Sequence, residues 1–307
     1  MIHAPIAIFA FNRPEHLRRT LNSISQNRGF FESPLYIYCD GPRGPQDYKL
    51  VRETQDIVNS FYHPNKNVFL SQTNCGLRES ITTGISAILS EYDYIIVLED
   101  DLEFSPDFLY FMNSALFKYR HIERVFQISG FSFPVNSHPL TDSAYFLPFV
   151  SSWGWGTWRS RWREYSIDIC QAKSRLNSFR WRWRFDINGS YPYSRMLSMA
   201  IDNRNSSWAI WFNYHAFIND RISLYPVKSL VLNHGFDGSG THCRNEFSLP
   251  LNLDFNDPNV KVNQLPDEIT TNKPYLSQIQ RYLRIQRGVL RYAADTLYRF
   301  AKIEIKK

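Results

Sequence analysis

The sequence predicts an α/β fold, a mostly parallel sheet covered by helices. Short and nearly continuous apolar runs of strand length recur through the first 130 residues, and segments with apolar residues at helical spacing separate several of them. Acidic or amide side chains stand at or just beyond the ends of three of these runs, where open α/β sheets bind ligands.

Ile6 to Phe11 is the first apolar run. Pro14 then opens a helical pattern with Leu17, Leu21 and Ile24 on one side. Leu35 to Cys39 repeats the strand signal and ends at the turn Asp40-Gly41-Pro42. Asn67 to Ser71 supplies a third strand, followed by Leu77, Ile81, Ile85 and Leu89 in helical register. Tyr94 to Leu98 is the fourth strand and runs directly into Glu99, Asp100 and Asp101, with a helix expected over Asp107 to Tyr119. Strands of this apolar character are buried on both faces, which implies parallel pairing. Asp40, Asn74 and the Glu99 to Asp101 triplet would then share one rim of the sheet.

Three consecutive acids at the end of a buried strand are costly to leave unpaired. They fit either an acidic turn before the helix that Ser105-Pro106 would start, or an oxygen-ligand site for a hard cation that shares its coordination with phosphate. The formal charge of +6 calls for an anionic partner without choosing among nucleotide, lipid and nucleic acid. Cys39, Cys75, Cys170 and Cys243 show no CxxC spacing, so neither a disulfide framework nor a zinc ribbon is indicated. A reducing cytosol is the simplest compartment. The N-terminus lacks the basic-then-apolar pattern of a signal peptide, and no apolar run reaches the roughly 18 residues of a membrane span.

The set Phe9-Ala-Phe-Asn-Arg-Pro14, Cys39-Asp-Gly-Pro-Arg43, Asn74-Cys-Gly-Leu77 and Leu98-Glu-Asp-Asp-Leu-Glu-Phe104 resembles the GT-A glycosyltransferases, a Rossmann-like fold acting on nucleotide-activated sugars. Within them it is similar to family 2-like bacterial transferases and, distantly, to N-acetylglucosaminyltransferase I, whose DXD motif reads Glu-Asp-Asp. The likeness spans residues 3 to 245. It implies a nucleoside diphosphate sugar donor, with UDP the expected nucleotide, and Mn2+ or Mg2+ as cofactor. Asp101 would ligate the metal, Asp100 would face the ribose and Glu99 would support them from behind. Asp40 would bind a uracil-type base, with turn stabilisation as its other reading, while Arg13, Asn74 and Arg78 would complete the donor site.

Ser151-Ser-Trp-Gly-Trp-Gly-Thr-Trp158 holds three tryptophans and two glycines in eight residues. Aromatic faces match the C-H faces of sugars, so Trp153, Gly154, Trp155 and Gly156 form a candidate acceptor platform. A tryptophan-rich core corner is the competing reading. Trp208-Ala-Ile-Trp211 matches a tryptophan-flanked acidic motif of the resembled family, with the acids missing. Trp208 and Trp211 are counted with the acceptor platform. An inverting transfer needs a carboxylate base for the acceptor hydroxyl, and Asp202 is the nearest acid upstream, with Asp220 and Asp237 further on.

Leu224 to Leu232 reads as a strand leading into Asn233-His-Gly-Phe-Asp-Gly-Ser-Gly-Thr-His242. The resemblance places His242 at the metal and leaves His234 structural. A zinc site from His234, His242 and Cys243 lacks a fourth ligand at recognisable spacing.

Residues 1–255 are expected to form the catalytic domain, with a nucleotide-sugar half over 1–130 and an acceptor half over 131–255. A linker follows over 256–273. The tail, 274–307, places Leu276, Ile279, Leu283, Leu290, Ala294, Leu297 and Ala301 at mainly helical spacing among Arg281, Arg284, Arg287, Arg291, Arg299 and Lys302. This basic amphipathic helix suits either an anionic membrane surface or docking onto the domain. Arg175 to Arg184 is a second basic aromatic segment.

The functional expectation is a glycosyltransferase that moves a sugar to a glycan or lipid-linked acceptor in surface polysaccharide or lipopolysaccharide assembly, with inversion. Its place would be the cytoplasm, at the inner face of the plasma membrane. A sugar nucleotidyltransferase would carry a glycine-rich basic loop after the first strand, where this chain has Asn12-Arg13-Pro14. A nucleic-acid-binding module is disfavoured by the acid triplet, which repels phosphate unless a cation intervenes. No nucleic-acid partner is therefore expected.

Overall fold

The computed structural model describes residues 3–135, 142–238 and 264–301. Strand β1 (Ile6–Ala10) is wholly buried and leads into α1 (Pro14–Ser25), with its proline in the first turn and Leu17, Leu21 and Ile24 turned inward. β2 (Leu35–Cys39), α2 (Tyr48–Ser60), β3 (Lys66–Leu70), α3 (Leu77–Glu91) and β4 (Tyr94–Glu99) continue the alternation. The four strands pair in parallel in the order β3-β2-β1-β4. All four follow the sequence expectation to within a residue at each end. Helix α2 was not anticipated; Val51, Thr54 and Val58 form its buried stripe.

Residues alternate across the pleat. Ile6, Ile8 and Ala10 join α1 and the helix α4 (Phe108–Lys118) in one apolar layer, while Ala7 and Phe9 meet Ile81, Ile85 and Ile88 of α3 on the other face. This is the α/β sandwich that the apolar runs predict.

The second half turns the sheet mixed. After the short β5 (Leu102–Phe104) come β6 (Val125–Ser129), β7 (Ala144–Leu147) and β8 (Trp155–Trp158). β8 lies antiparallel between β4 and β6. Helices α5 (Arg159–Glu164), α6 (Ile169–Leu176), α7 (Phe179–Phe185), α8 (Tyr193–Ile201) and α9 (Trp208–Ile218) follow. β9 (Ile222–Pro226) pairs with β6 and β7 and completes an eight-stranded sheet.

The single strand expected over Leu224 to Leu232 is two. β9 ends at Pro226, and β10 (Val231–Asn233) pairs instead with β5 in a separate ribbon. That switch of partner puts the residues after β10 over the end of β4.

Helix α10 (Lys273–Ala301) docks on the domain. Tyr275, Ile279 and Leu283 enter a cluster with Tyr145, Phe149 and Tyr225. Further along, the fully buried Arg299 donates to Asp186 at 2.5 Å and Arg182 donates to the Arg299 carbonyl at 2.9 Å. Of the two readings of the tail, docking accounts for these contacts. No helix among the described residues is long and apolar enough to cross a membrane.

Candidate active site at the ends of β1 and β4

The chain leaves β1 toward β2 and β3 and returns to pair β4 on the opposite side of β1. Loops after β1 and β4 therefore diverge, which opens a crevice at their carboxyl ends. Arg13 enters it from the first loop, and Asp100 and Asp101 enter from the second. The Arg13 guanidinium bonds Asp100 and lies 3.0 Å from Asp101 Oδ2. Asp100 also accepts from the Phe11 N–H at 3.3 Å, and the Thr20 hydroxyl of α1 lies 2.8 Å from the Asp100 carbonyl and 2.7 Å from that of Leu102. The acid turn is thus held by both its side chains and its backbone.

The electrostatics are acid-rich. Burial, then Asp101 and Asp100, push Glu99 up to about 8, against the opposing pull of Arg13. Burial also raises Asp100, again opposed by Arg13. Burial works against the charge of Arg13, but Asp100 and Asp101 outweigh it and hold the guanidinium above its ordinary value. Among the described residues one arginine faces these three acids.

Residues after β10 cover this turn. The His234 N–H donates to the Asp101 carbonyl at 2.8 Å, and its imidazole lies 2.6 Å from Glu103 Oε2. His16 of α1 lies 3.2 Å from Asp237 Oδ2 and 3.4 Å from the His234 carbonyl. At Gly235 a side chain is excluded: a Cβ there would sit 2.2 Å from Asp101 Oδ2. Asp101 Oδ1 is buried without a hydrogen-bond partner among the described residues. An unsatisfied carboxylate oxygen beside one arginine suits a cation. Among the described residues no three His, Cys, Asp or Glu side chains form a ligand set, so the share of such a site that the described residues supply would be the Asp101 carboxylate. A single carboxylate is compatible with a cation that keeps waters and takes phosphate oxygens.

Along the rim, Asp40 organises the next loop. Its carboxylate accepts from the backbone N–H groups of Gly41, Cys75 and Gly76 at 2.9, 2.8 and 2.8 Å and from Asn74 Nδ2 at 2.9 Å. Four donors fill most of what two oxygens can accept, so turn stabilisation is a role Asp40 demonstrably has. Gly76, at φ +82, then starts α3. Arg78 sits half-buried in the first turn of α3, with no carboxylate partner among the described residues. Asn12 and Arg43 both bond the buried Asp47, at 2.9 and 2.8 Å, and Arg43 covers the Phe11 ring. The roles of Thr20, Asp47, His16 and Gly235 were not read from the sequence. Thr20, His16 and Gly235 meet partners far away in the chain, and Asp47 joins the nearby Arg43 to the distant Asn12, so the fold is needed to bring them together.

The tryptophan platform requires correction. Trp155 is fully buried in β8, stacked on Trp208 at 5.0 Å and packed against Phe212. Trp208 and Trp211 are 2% and 1% exposed. Gly156 lies inside β8, where a Cβ would come 2.9 Å from the Ile95 carbonyl, and Gly154, at φ +57, would press on Val231 and Phe108. Trp155 and Gly156 are core because β8 is a central strand, and Trp208 and Trp211 are core because α9 turns them into two buried apolar clusters. Trp153 alone remains half-buried, edge-on to Phe131 and Phe236.

Asp202 lies on the surface. It follows α8 with an exposed side chain, 3.1 Å from Arg204. Asp220 is exposed next to Arg124, before β9. Of the three acids, Asp237 is the one brought beside the acid turn. His242 and Cys243 lie outside the described residues.

Comparison with solved structures finds similarity to GalNAc-T7 crystallised with UDP, GalNAc and Mn2+, at 10% identity and a TM-score of 0.48. That match covers 77% of this chain and 46% of the other, so the chain spans under half of that protein. S. aureus TarS 1-349 is similar at 11% identity and a TM-score of 0.38, covering 74% of this chain and 59% of that one. A mannosyltransferase from Pyrobaculum calidifontis, in complex with GDP-Man and Mn2+, is similar at 9% identity and a TM-score of 0.36, covering 72% and 70%. The family model described as Glycosyl transferase family 2 matches residues 6–195, more than half of the 307. The chain belongs to glycosyl transferase family 2.

Proposed function

We propose that the crevice between β1 and β4 is the donor site of a metal-dependent transferase that takes its sugar from a nucleoside diphosphate, UDP foremost. The observation that carries this reading is the pair Arg13 and Asp101 at the topological switch point, with Asp101 Oδ1 left without a partner among the described residues. Mn2+ or Mg2+ would be held by Asp101 and, when bound, neutralises charge on the departing diphosphate. Asp100 and Glu99 hold the acid turn for the Glu-Asp-Asp role, and Arg13 and Arg78 supply guanidinium donors for phosphate. The Asp40-bound loop with Asn74 forms the base-binding side.

Transfer forms a bond from the acceptor hydroxyl oxygen to the anomeric carbon as the bond from that carbon to the diphosphate oxygen breaks. The diphosphate leaves with the bonding electron pair, and inversion follows from attack on the opposite face. The hydroxyl proton passes to Asp237, which His16 orients at 3.2 Å. Trp153 offers the half-buried ring for the acceptor sugar. The acceptor class is a glycan or lipid-linked glycan in surface polysaccharide or lipopolysaccharide assembly, made at the cytoplasmic face of the membrane. Donor hydrolysis assayed with UDP, GDP, CMP and dTDP sugars, with Mn2+ and with chelator, tests this reading. Turnover of a UDP sugar that chelation abolishes supports it, and equal turnover in chelator would discard it.

A further inference from the structure

The segment from Ile169 to Phe185 contains five basic residues and no acid. Arg175, Arg180 and Arg184 are exposed there, and none has a carboxylate partner among the described residues. Beside them lies an apolar patch. Phe179 of α7 stacks on Phe300 of α10 at 4.6 Å, and the two rings remain 37% and 65% exposed. Leu297, one turn before Phe300, is 55% exposed.

This exposure is built into the fold. Arg299, next to Phe300, is fully buried against Asp186, and Arg182, between Arg180 and Arg184 on α7, donates to the Arg299 carbonyl. The buried arginines fix α7 and α10 together, which leaves the two rings and the arginine row facing outward on one edge. Stacked rings held in water beside guanidinium groups that have no carboxylate partner among the described residues mark an interaction surface whose partner is both apolar and anionic. A membrane surface rich in anionic lipid has that chemistry. Rings enter the boundary between headgroups and acyl chains while guanidinium groups meet lipid phosphates.

We propose that the edge formed by α7 and the end of α10 docks the protein on an anionic lipid surface. The proposal stands apart from the donor chemistry, since none of these residues belongs to the β1 and β4 crevice. Binding here would use a docked face of the domain, with α10 kept in place.

The test is co-sedimentation of the full chain with vesicles of phosphatidylcholine alone and of phosphatidylcholine mixed with phosphatidylglycerol. Binding is expected to the phosphatidylglycerol vesicles and to weaken as salt rises. Arg180→Ala with Arg184→Ala should weaken it roughly 30-fold, as two interfacial charges are removed. Phe179→Ser with Phe300→Ser should weaken it further at high salt, where charge is screened. Arg18→Ala with Arg19→Ala, on α1, should leave it unchanged. Thermal melting matched to the parent chain verifies that each variant is folded. The proposal is overturned by equal binding to both vesicle types, by an equal loss in the α1 control, or by retention of both site variants at parental affinity. Tight binding of single-stranded DNA without vesicle binding would overturn it as well.

Discussion

Arg13 Nη2 stands 3.0 Å from Asp101 Oδ2, across the point where the sheet's strand order reverses. In this arrangement the guanidinium partly compensates an acid cluster that a divalent cation would compensate more fully. Replacing Arg13 by Gln removes the internal counter-charge. The expected outcome is weaker binding of nucleoside diphosphate, with tighter dependence on added Mn2+, read by calorimetric titration of UDP at several metal concentrations. Unchanged UDP affinity would place Arg13 outside the phosphate site.

Gly235 supports Asp101 by having no side chain. Gly235→Ala would put a methyl group 2.2 Å from Asp101 Oδ2, so either the carboxylate or the segment over it must shift. Displacement on the ångström scale at a reacting site costs ~100-fold in turnover. Metal-dependent donor hydrolysis should fall by that order while the melting temperature changes little.

Trp155 and Trp208 separate a packing role from an acceptor role. Trp208→Ala opens a hole beside Trp155 and Phe212 and is expected to cost about 3–5 kcal/mol of stability. Trp153→Ala should instead raise the KM for acceptor and spare the fold. Chemical denaturation and acceptor kinetics on the two variants check this division. A stable Trp208→Ala chain with altered acceptor KM would restore the platform.

Asp47 gives the pH dependence a sign. Its bonds to Arg43, opposed by burial and aided by Asn12, lower its carboxyl to about 2 from an ordinary 3.8. A lowered folded-state pKa adds stability that is complete above about pH 4 and is lost as pH falls through 2. Asp47→Asn should therefore melt below the parent at pH 7, and the gap should shrink as both are measured toward pH 2. A gap that is constant with pH would mean the ion pair contributes nothing.

The tail helix rests on buried charge. Arg299→Met leaves Asp186 buried without its cation and should destabilise the protein by roughly 3–5 kcal/mol. Adding Asp186→Leu should recover much of that loss. Limited proteolysis of α10, fast in the single variant and slow in the double, reports the same effect locally.

The first four strands were legible because each is an apolar run of strand length with helical periodicity around it, and Ile6 to Ala10 is buried on both faces as such a run requires. The acid triplet was legible for the same reason, since its position follows from the end of β4. The tryptophan run was not. Trp-Gly-Trp-Gly has the same composition as a sugar platform and as a central strand packed tightly against its neighbours, and only the pairing of β8 with β4 and β6 decides between them. Asp40 illustrates a second limit. A strand-end carboxylate can serve a ligand or its own loop, and the donors from Gly41, Cys75 and Gly76 are invisible until the chain is folded. The contact of His16 with Asp237 has no local signal at all. Likewise, the tail's arginines fit a membrane surface or a docked helix equally from their spacing, and nothing local marks Arg299 as the one buried against Asp186 of the domain.

The central claim is that the Asp101 carboxylate holds a cation against the donor diphosphate, and Asp101→Asn measures it most directly. Hydrolysis of a UDP sugar by the parent chain should rise with Mn2+ and saturate, whereas the variant should lose roughly 100-fold or more at every Mn2+ concentration while keeping its melting temperature. A folded Asp101→Asn protein with the parental Mn2+ response would contradict the account.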